Sequence, residues 1–129
     1  MTSLITTLDS FFSPKNLLVI GASRNTYTFN GMVIKNLLES QYPGKICIVH
    51  PMVKTLLGIP CYPTIKSVLN QDYKPDLAII LTLHNLSENL TALGKAGIKN
   101  LLLQFDLTVK TTKSMQKQII EELKKQINL

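Results

Sequence analysis

Leu17-Leu18-Val19-Ile20-Gly21-Ala22-Ser23-Arg24-Asn25, with Gly31 a few residues further on, is the stretch that decides the fold. Four apolar residues in a row fit a strand buried on both faces, as in a parallel sheet. The small-residue turn that follows, Gly21-Ala22-Ser23, lets backbone N–H groups come close to a ligand. After Gly31 the spacing predicts a helix over 31–41, with Ile34, Leu37 and Leu38 on one face. Strand, small turn and helix in that order build an anion site, because the helix dipole and its unpaired amides point at a phosphate. The same pattern also serves as a plain strand-to-helix turn. Position argues for a ligand, since the carboxyl end of the first strand is where such sheets bind one.

Outward from this stretch, the chain alternates. Leu4, Ile5, Leu8, Phe11 and Phe12 recur at helical spacing; Asp9 interrupts them and no basic segment precedes them, so they read as a short packing helix rather than a signal peptide. On the other side, Tyr42-Pro43-Gly44-Lys45 stops the first long helix, and Ile46-Cys47-Ile48-Val49 is a second buried strand ending in His50-Pro51. Residues 56–63 hold a short extended piece that two prolines confine to a sheet edge. Thr64 caps a short helix to Leu69, and 76–82 is a central strand. Asn85 and Glu88 have capping-box spacing and open a helix with Leu86, Leu90, Leu93 and Gly97 on one face. Residues 101–105 form the last strand. A final helix over 112–127 carries Met115, Ile119, Ile120, Leu123 and Ile127. Strands alternating with helices predict an α/β domain with a doubly wound parallel sheet, one domain over 1–129.

Composition sets limits. With 45% hydrophobic and 17% charged residues the chain is not a disordered one. Its longest apolar runs fall well short of the roughly 20 residues a membrane span requires, so no membrane partner is expected. Cys47 and Cys61 fit a reduced, cytoplasmic protein better than a disulfide scaffold, and without C-x-x-C spacing they give a metal site no support. The net charge is +6, yet the lysines are dispersed, and the dense group at 110, 113, 117, 124 and 125 reads as the solvated face of the last helix. With no Trp and no basic stripe, nucleic acid is disfavoured as a partner.

The motifs narrow the ligand. Only Gly21 and Gly31 bracket the loop where a dinucleotide fold shows G-x-G-x-x-G, and no acid follows the second strand to hold ribose hydroxyls. Ordinary NAD binding is therefore disfavoured, and no P-loop is present. His50 and His84 fall at strand ends, where an imidazole can hydrogen-bond a ligand; each also reads as an ordinary loop residue. No Ser-His-Asp or paired-carboxylate arrangement is legible, and the chain is not expected to be catalytic on its own.

Phe12-Ser13-Pro14-Lys15, Ile20-Gly21-Ala22-Ser23-Arg24-Asn25, Gly31, Tyr42-Pro43-Gly44-Lys45-Ile46, Val49-His50-Pro51, 57–63 and Asp76-Leu77-Ala78-Ile79 follow one another in an order and spacing that resembles a known family. It is the CoA-binding domain of NDP-forming acyl-CoA synthetases, shared with the succinyl-CoA ligase α-subunit and small stand-alone CoA-binding proteins. The resemblance implies a Rossmann-like sheet of order 3-2-1-4-5, the third strand being 58–62. It implies coenzyme A or acyl-CoA as ligand, and a cytoplasmic, bacterial protein. Ligand contacts are expected from Gly21, Ala22, Ser23, Arg24, Asn25, Gly31, His50, Pro51, Thr82, Leu83 and His84. Met52 stands where the family usually carries Lys, and Tyr27 and Phe29 where small residues are common.

The family's sheet continues into a further strand where this sequence ends on a helix, so the outer edge of 101–105 is expected to pair with a homodimer mate or partner subunit. Two other readings stand beside CoA binding: a regulatory module that kept the fold without its ligand, and an NAD or other adenine-nucleotide domain. Gly21→Val is expected to abolish CoA binding while leaving the fold largely intact.

Overall fold

The structure, a computed structural model, describes residues 9, 11–104, 117–121 and 124–125. The order of its elements is β1 (Asn16–Ile20), α1 (Phe29–Glu39), β2 (Lys45–Val49), β3 (Thr55–Leu56), β4 (Ile59–Tyr62), α2 (Ile65–Leu69), β5 (Leu77–Ile80), α3 (Leu86–Lys95) and β6 (Leu101–Leu103). The sheet runs β3-β4-β2-β1-β5-β6. Its five parallel members, β4, β2, β1, β5 and β6, stand in the expected 3-2-1-4-5 order of a Rossmann-like fold. β1 lies at their centre, registered from Asn16 on Lys45 to Ile20 on Val49 on one side and from Leu17 on Leu77 to Ile80 on the other. This central position is why its side chains must be apolar on both faces.

What the sequence did not reveal is β3. Leu57 and Gly58, both at positive φ (50° and 82°), make a two-residue turn that folds β3 back antiparallel on β4. β4 is therefore not the edge. It pairs with β2 through Ile48–Cys61 and Val49–Tyr62, and the Cys61 amide beside Pro60 donates to the Lys54 carbonyl at 2.8 Å.

Alternation along β1 divides the core. Leu17 and Val19 face a layer with Ile34 of α1, while Leu18 and Ile20 face α2 and α3 through Ile65, Val68, Leu86, Leu90 and Leu93. α1 thus lies on one face, and α2 and α3 on the other. Phe11 packs on the α1 layer, whereas Phe12 is 75% exposed. Residues 117–121 are helical and Ile119 packs on the α2–α3 layer; the rest of the expected 112–127 helix, and residue 105 of the expected last strand, lie outside the described residues. Among the described residues no helix is long and apolar enough to cross a membrane.

The helix ends differ from expectation in physically clear ways. α1 starts at Phe29 rather than Gly31, because Thr28 is an effective N-cap whose side chain accepts the Gly31 N–H. Its other end closes with Gln41 at φ 57°, the N–H groups of Tyr42 and Gln41 donating back to the Leu37 and Leu38 carbonyls. Thr64 does cap α2, in a reciprocal box with Ser67. The box expected at Asn85 and Glu88 does not form: Asn85 is left-handed (φ 54°), and its side chain makes no capping bond. Gly97 is not on the buried face of α3 but just past its end, at φ 79°, where the Ile98 N–H returns to the Leu93 carbonyl.

The amino ends of the strands are stitched by side chains. Asp76 Oδ2 accepts the amides of Lys15 and Asn16, each at 2.9 Å. The Tyr73 hydroxyl lies 2.6 Å from the Leu17 carbonyl, to which it donates, and 3.0 Å from that of Lys45. Asn100 Nδ2 donates to the Asp76 carbonyl at 3.1 Å, and the Tyr42 hydroxyl donates to that of Pro14.

Candidate functional site

The carboxyl ends of the strands are open. A cleft of about 540 Å³ lies there, floored by Gly21 and Ala22 after β1, His50 and Pro51 after β2, and Thr82 and His84 after β5. Its far walls are the first turns of α2, with Thr64 and Lys66, and α3, with Glu88 and Asn89. A cleft outside the carboxyl ends, where connections diverge to opposite faces of the sheet, is the ligand position of open α/β sheets.

Gly21 sets the floor. Its φ is +91°, and a β-carbon built on it would meet Thr82 Cγ2 at 2.8 Å. Asn30 Nδ2 donates to the Gly21 carbonyl at 3.0 Å and ties the turn to the start of α1. Gly21→Val would therefore strain the backbone and crowd Thr82, so a loss of stability is expected beside any loss of binding. His50 Nδ1 accepts the N–H groups of Met52 (3.1 Å) and Val53 (3.2 Å), which leaves the ring proton on Nε2 as a donor. The His84 amide donates to Thr82 Oγ1 at 3.1 Å, and its ring is exposed.

Six of the expected contacts thus converge: Gly21, Ala22, His50, Pro51, Thr82 and His84. Ser23, Arg24, Asn25, Gly31 and Leu83 are not among the residues lining the cleft. Ser23 and Asn25 spend their polar atoms inside their own turn: Ser23 Oγ accepts the Asn25 N–H, Asn25 Oδ1 that of Tyr27, and the Asn25 carbonyl the Thr28 hydroxyl. Arg24 is exposed. Gly31 is buried beneath the Asn25 carbonyl, with which a side chain there would collide. Leu83 packs into the core on the α2–α3 face. Phe29 likewise packs into the α1 layer and is not among the cleft's lining residues, while Tyr27 is 94% exposed.

Sequence reasoning missed Asn30, Lys66 and the cleft-lining role of Thr64 and Glu88. The signals were present: Thr64 and Glu88 fell in helix-starting patterns, and a residue that starts a helix after a parallel strand stands at the carboxyl end by construction.

The buried thiols take no part. Cys47 and Cys61 are free and lie on opposite core layers. Burial pushes the Cys47 thiol up to about 11 and that of Cys61 upward as well, so neither is a nucleophile near neutral pH. No group of three metal-ligating side chains occurs among the described residues.

Fold and cleft together define a Rossmann-like α/β domain with a cleft at the carboxyl end of its first strand. The family model described as a CoA binding domain matches residues 15–127, and the chain belongs to that family. It is similar to the α-subunit of ADP-forming acetate–CoA ligase II from Pyrococcus furiosus, 30% identical over 118 residues, covering 88% of this chain and 25% of that one. Among solved structures it resembles the apo dinucleotide-forming acetyl-coenzyme A synthetase 1 of Ca. Korarchaeum cryptofilum, with a TM-score of 0.75 and 23% identity, covering 92% of this chain and 26% of the other. A conserved hypothetical protein from Pyrococcus furiosus has the same fold at TM-score 0.62 and 18% identity, covering 84% of this chain and 87% of that one. The chain spans about a quarter of the length of the ligase subunit. These relatives are archaeal and lend the bacterial expectation no support.

Proposed function

We propose that this chain binds coenzyme A or an acyl-CoA as one module of an NDP-forming acyl-CoA synthetase or a related acyltransferase. The observation that carries the reading is the cleft over Gly21 and Thr82, in a chain whose family is described by CoA binding. Its size falls in the range of about 300–1,000 Å³ typical of small-molecule sites. Gly21, Ala22 and the Nε2–H of His50 supply close backbone and donor groups for a phosphate, while His50-Pro51 after β2 offers no acid for the ribose hydroxyls of NAD. The remaining chemistry of such a reaction falls to other segments or chains. The domain works in the cytoplasm.

A thermal-shift series with CoA, acetyl-CoA, NAD and ADP tests this. CoA or acetyl-CoA should raise the Tm most. An equal or larger shift with NAD overturns the reading in favour of a dinucleotide domain, and no shift with any of them in favour of a module that lost its ligand.

The reading includes a second chain at β6, either a homodimer mate or a partner subunit. Leu102 is 39% exposed on that edge strand, and an apolar edge is a template for pairing. Light scattering across a concentration series should show association, and Leu102→Lys should weaken it. A monomer at high micromolar concentration would show the edge to be covered already.

A further inference from the structure

Among the described residues, two helices that begin at the open end of the sheet, α1 and α2, carry a side-chain cap on one first-turn amide. Thr28 Oγ1 accepts the Gly31 N–H at the start of α1, and Thr64 and Ser67 satisfy each other at the start of α2. α3 carries Glu88 in its first turn, where a carboxylate complements the dipole and repels a second anion. Beyond the backbone amides of the Gly21 turn and the His50 ring, a phosphate gains most from a cationic side chain. Lys66 is the one Lys or Arg lining the cleft among the described residues, and Glu88 is the one carboxylate. They stand on α2 and α3, which pack on the same face of the sheet, so one wall of the cleft is positive and the other negative. The ion pair found among the described residues is Lys35–Glu39 on α1, which leaves the Lys66 ammonium without a carboxylate partner there.

We propose that Lys66 is the cationic side chain that holds the ligand's phosphates, beside the donors at Gly21, Ala22 and His50, and that Glu88 sets the ligand's direction by keeping the phosphates off α3. The proposal rests on the CoA reading. An ammonium on a flexible stem is a compact point charge with three donors, suited to a phosphate that approaches from the floor of the cleft. A carboxylate opposite is an acceptor, which suits the donors of the ligand such as an exocyclic amine or an amide N–H.

Calorimetric titration of the intact chain with CoA, at low and at high salt, tests both halves. Lys66→Ala should weaken CoA about tenfold at low salt, as expected for loss of a hydrogen bond to a charged group. The deficit should largely close at about 0.5 M salt, where exposed charges are screened. Lys66→Arg should stay near the unsubstituted protein, and Glu88→Gln should tighten CoA. Normal binding by Lys66→Ala, or a loss equal at both salt concentrations, would mark Lys66 as a packing residue and overturn the proposal. Weaker binding by Glu88→Gln would make that carboxylate a ligand contact and overturn the assigned direction. An unsubstituted chain that binds no CoA would instead overturn the reading on which the proposal rests.

Discussion

Gly31 has little freedom to change. It lies in the first turn of α1 directly under the Asn25 carbonyl, and a methyl there would force the 23–25 turn outward. Gly31→Ala should cost about 1–3 kcal/mol of stability, the usual penalty for overpacking, read as a lower urea midpoint at constant slope. Tyr73 carries a different constraint. Its hydroxyl joins the starts of β1 and β2, and burial, reinforced by nearby acidic groups, holds the phenol well above its ordinary 10.0. The fold therefore binds the phenolic proton more tightly than the unfolded chain does. Stability from this group is complete below about pH 10 and is lost as pH rises toward the higher folded value. Cys47 acts in the same direction from its ordinary 9.0 up to about 11. Urea midpoints should fall steadily above about pH 9, and Tyr73→Phe should start about 1 kcal/mol lower at neutral pH yet lose less on the alkaline side. An unchanged alkaline slope in Tyr73→Phe would refute the assignment.

At the level of elements, the β3–β4 hairpin holds a residue poorly suited to its place. Leu57 is left-handed in a turn with both central residues at positive φ, a geometry that favours Asn-Gly. Its side chain is 49% exposed, so little packing opposes a change. Leu57→Asn should raise stability by about 0.5–1 kcal/mol, measured as an increase in Tm. The same turn explains why β3 was not legible: Leu57 reads as one more apolar residue, and a two-residue strand has no period to detect. β1, β2 and β5 were legible because strands buried on both faces must be continuous apolar runs. Gly31 was legible as a position that needs glycine, but the Asn25 carbonyl that requires it was not, since a glycine that admits a phosphate and one that admits a carbonyl look alike in sequence. Asn85 does open α3, but in the left-handed conformation and without the expected capping bond. Asn favours both the N-cap and the left-handed region, and spacing alone does not choose between them.

Across the whole molecule, the sheet is closed at one end and open at the other. Lysines 15 and 45 lie at the closed end, and Lys66 and the two histidines at the open one. Much of the +6 charge therefore adds general attraction for anions without defining a site. The described core divides into two layers on the two faces of the sheet, and Ala22 of the cleft floor belongs to the α1 layer.

The stitching by Asp76, Tyr73 and Asn100 gives this polarity a kinetic meaning. Backbone amides at that end, such as Asn16 and Ala78, are tied into the ladder and its flanking side chains, so their deuterium uptake should require global unfolding. Amides at 21–25 and 82–86 should exchange through small local openings that leave the stitched end intact. An occupied cleft would then slow uptake in those two segments while scarcely altering 16–18 or 76–78, and the molecule would behave as a hinge clamped at its base whose jaws alone register what they hold.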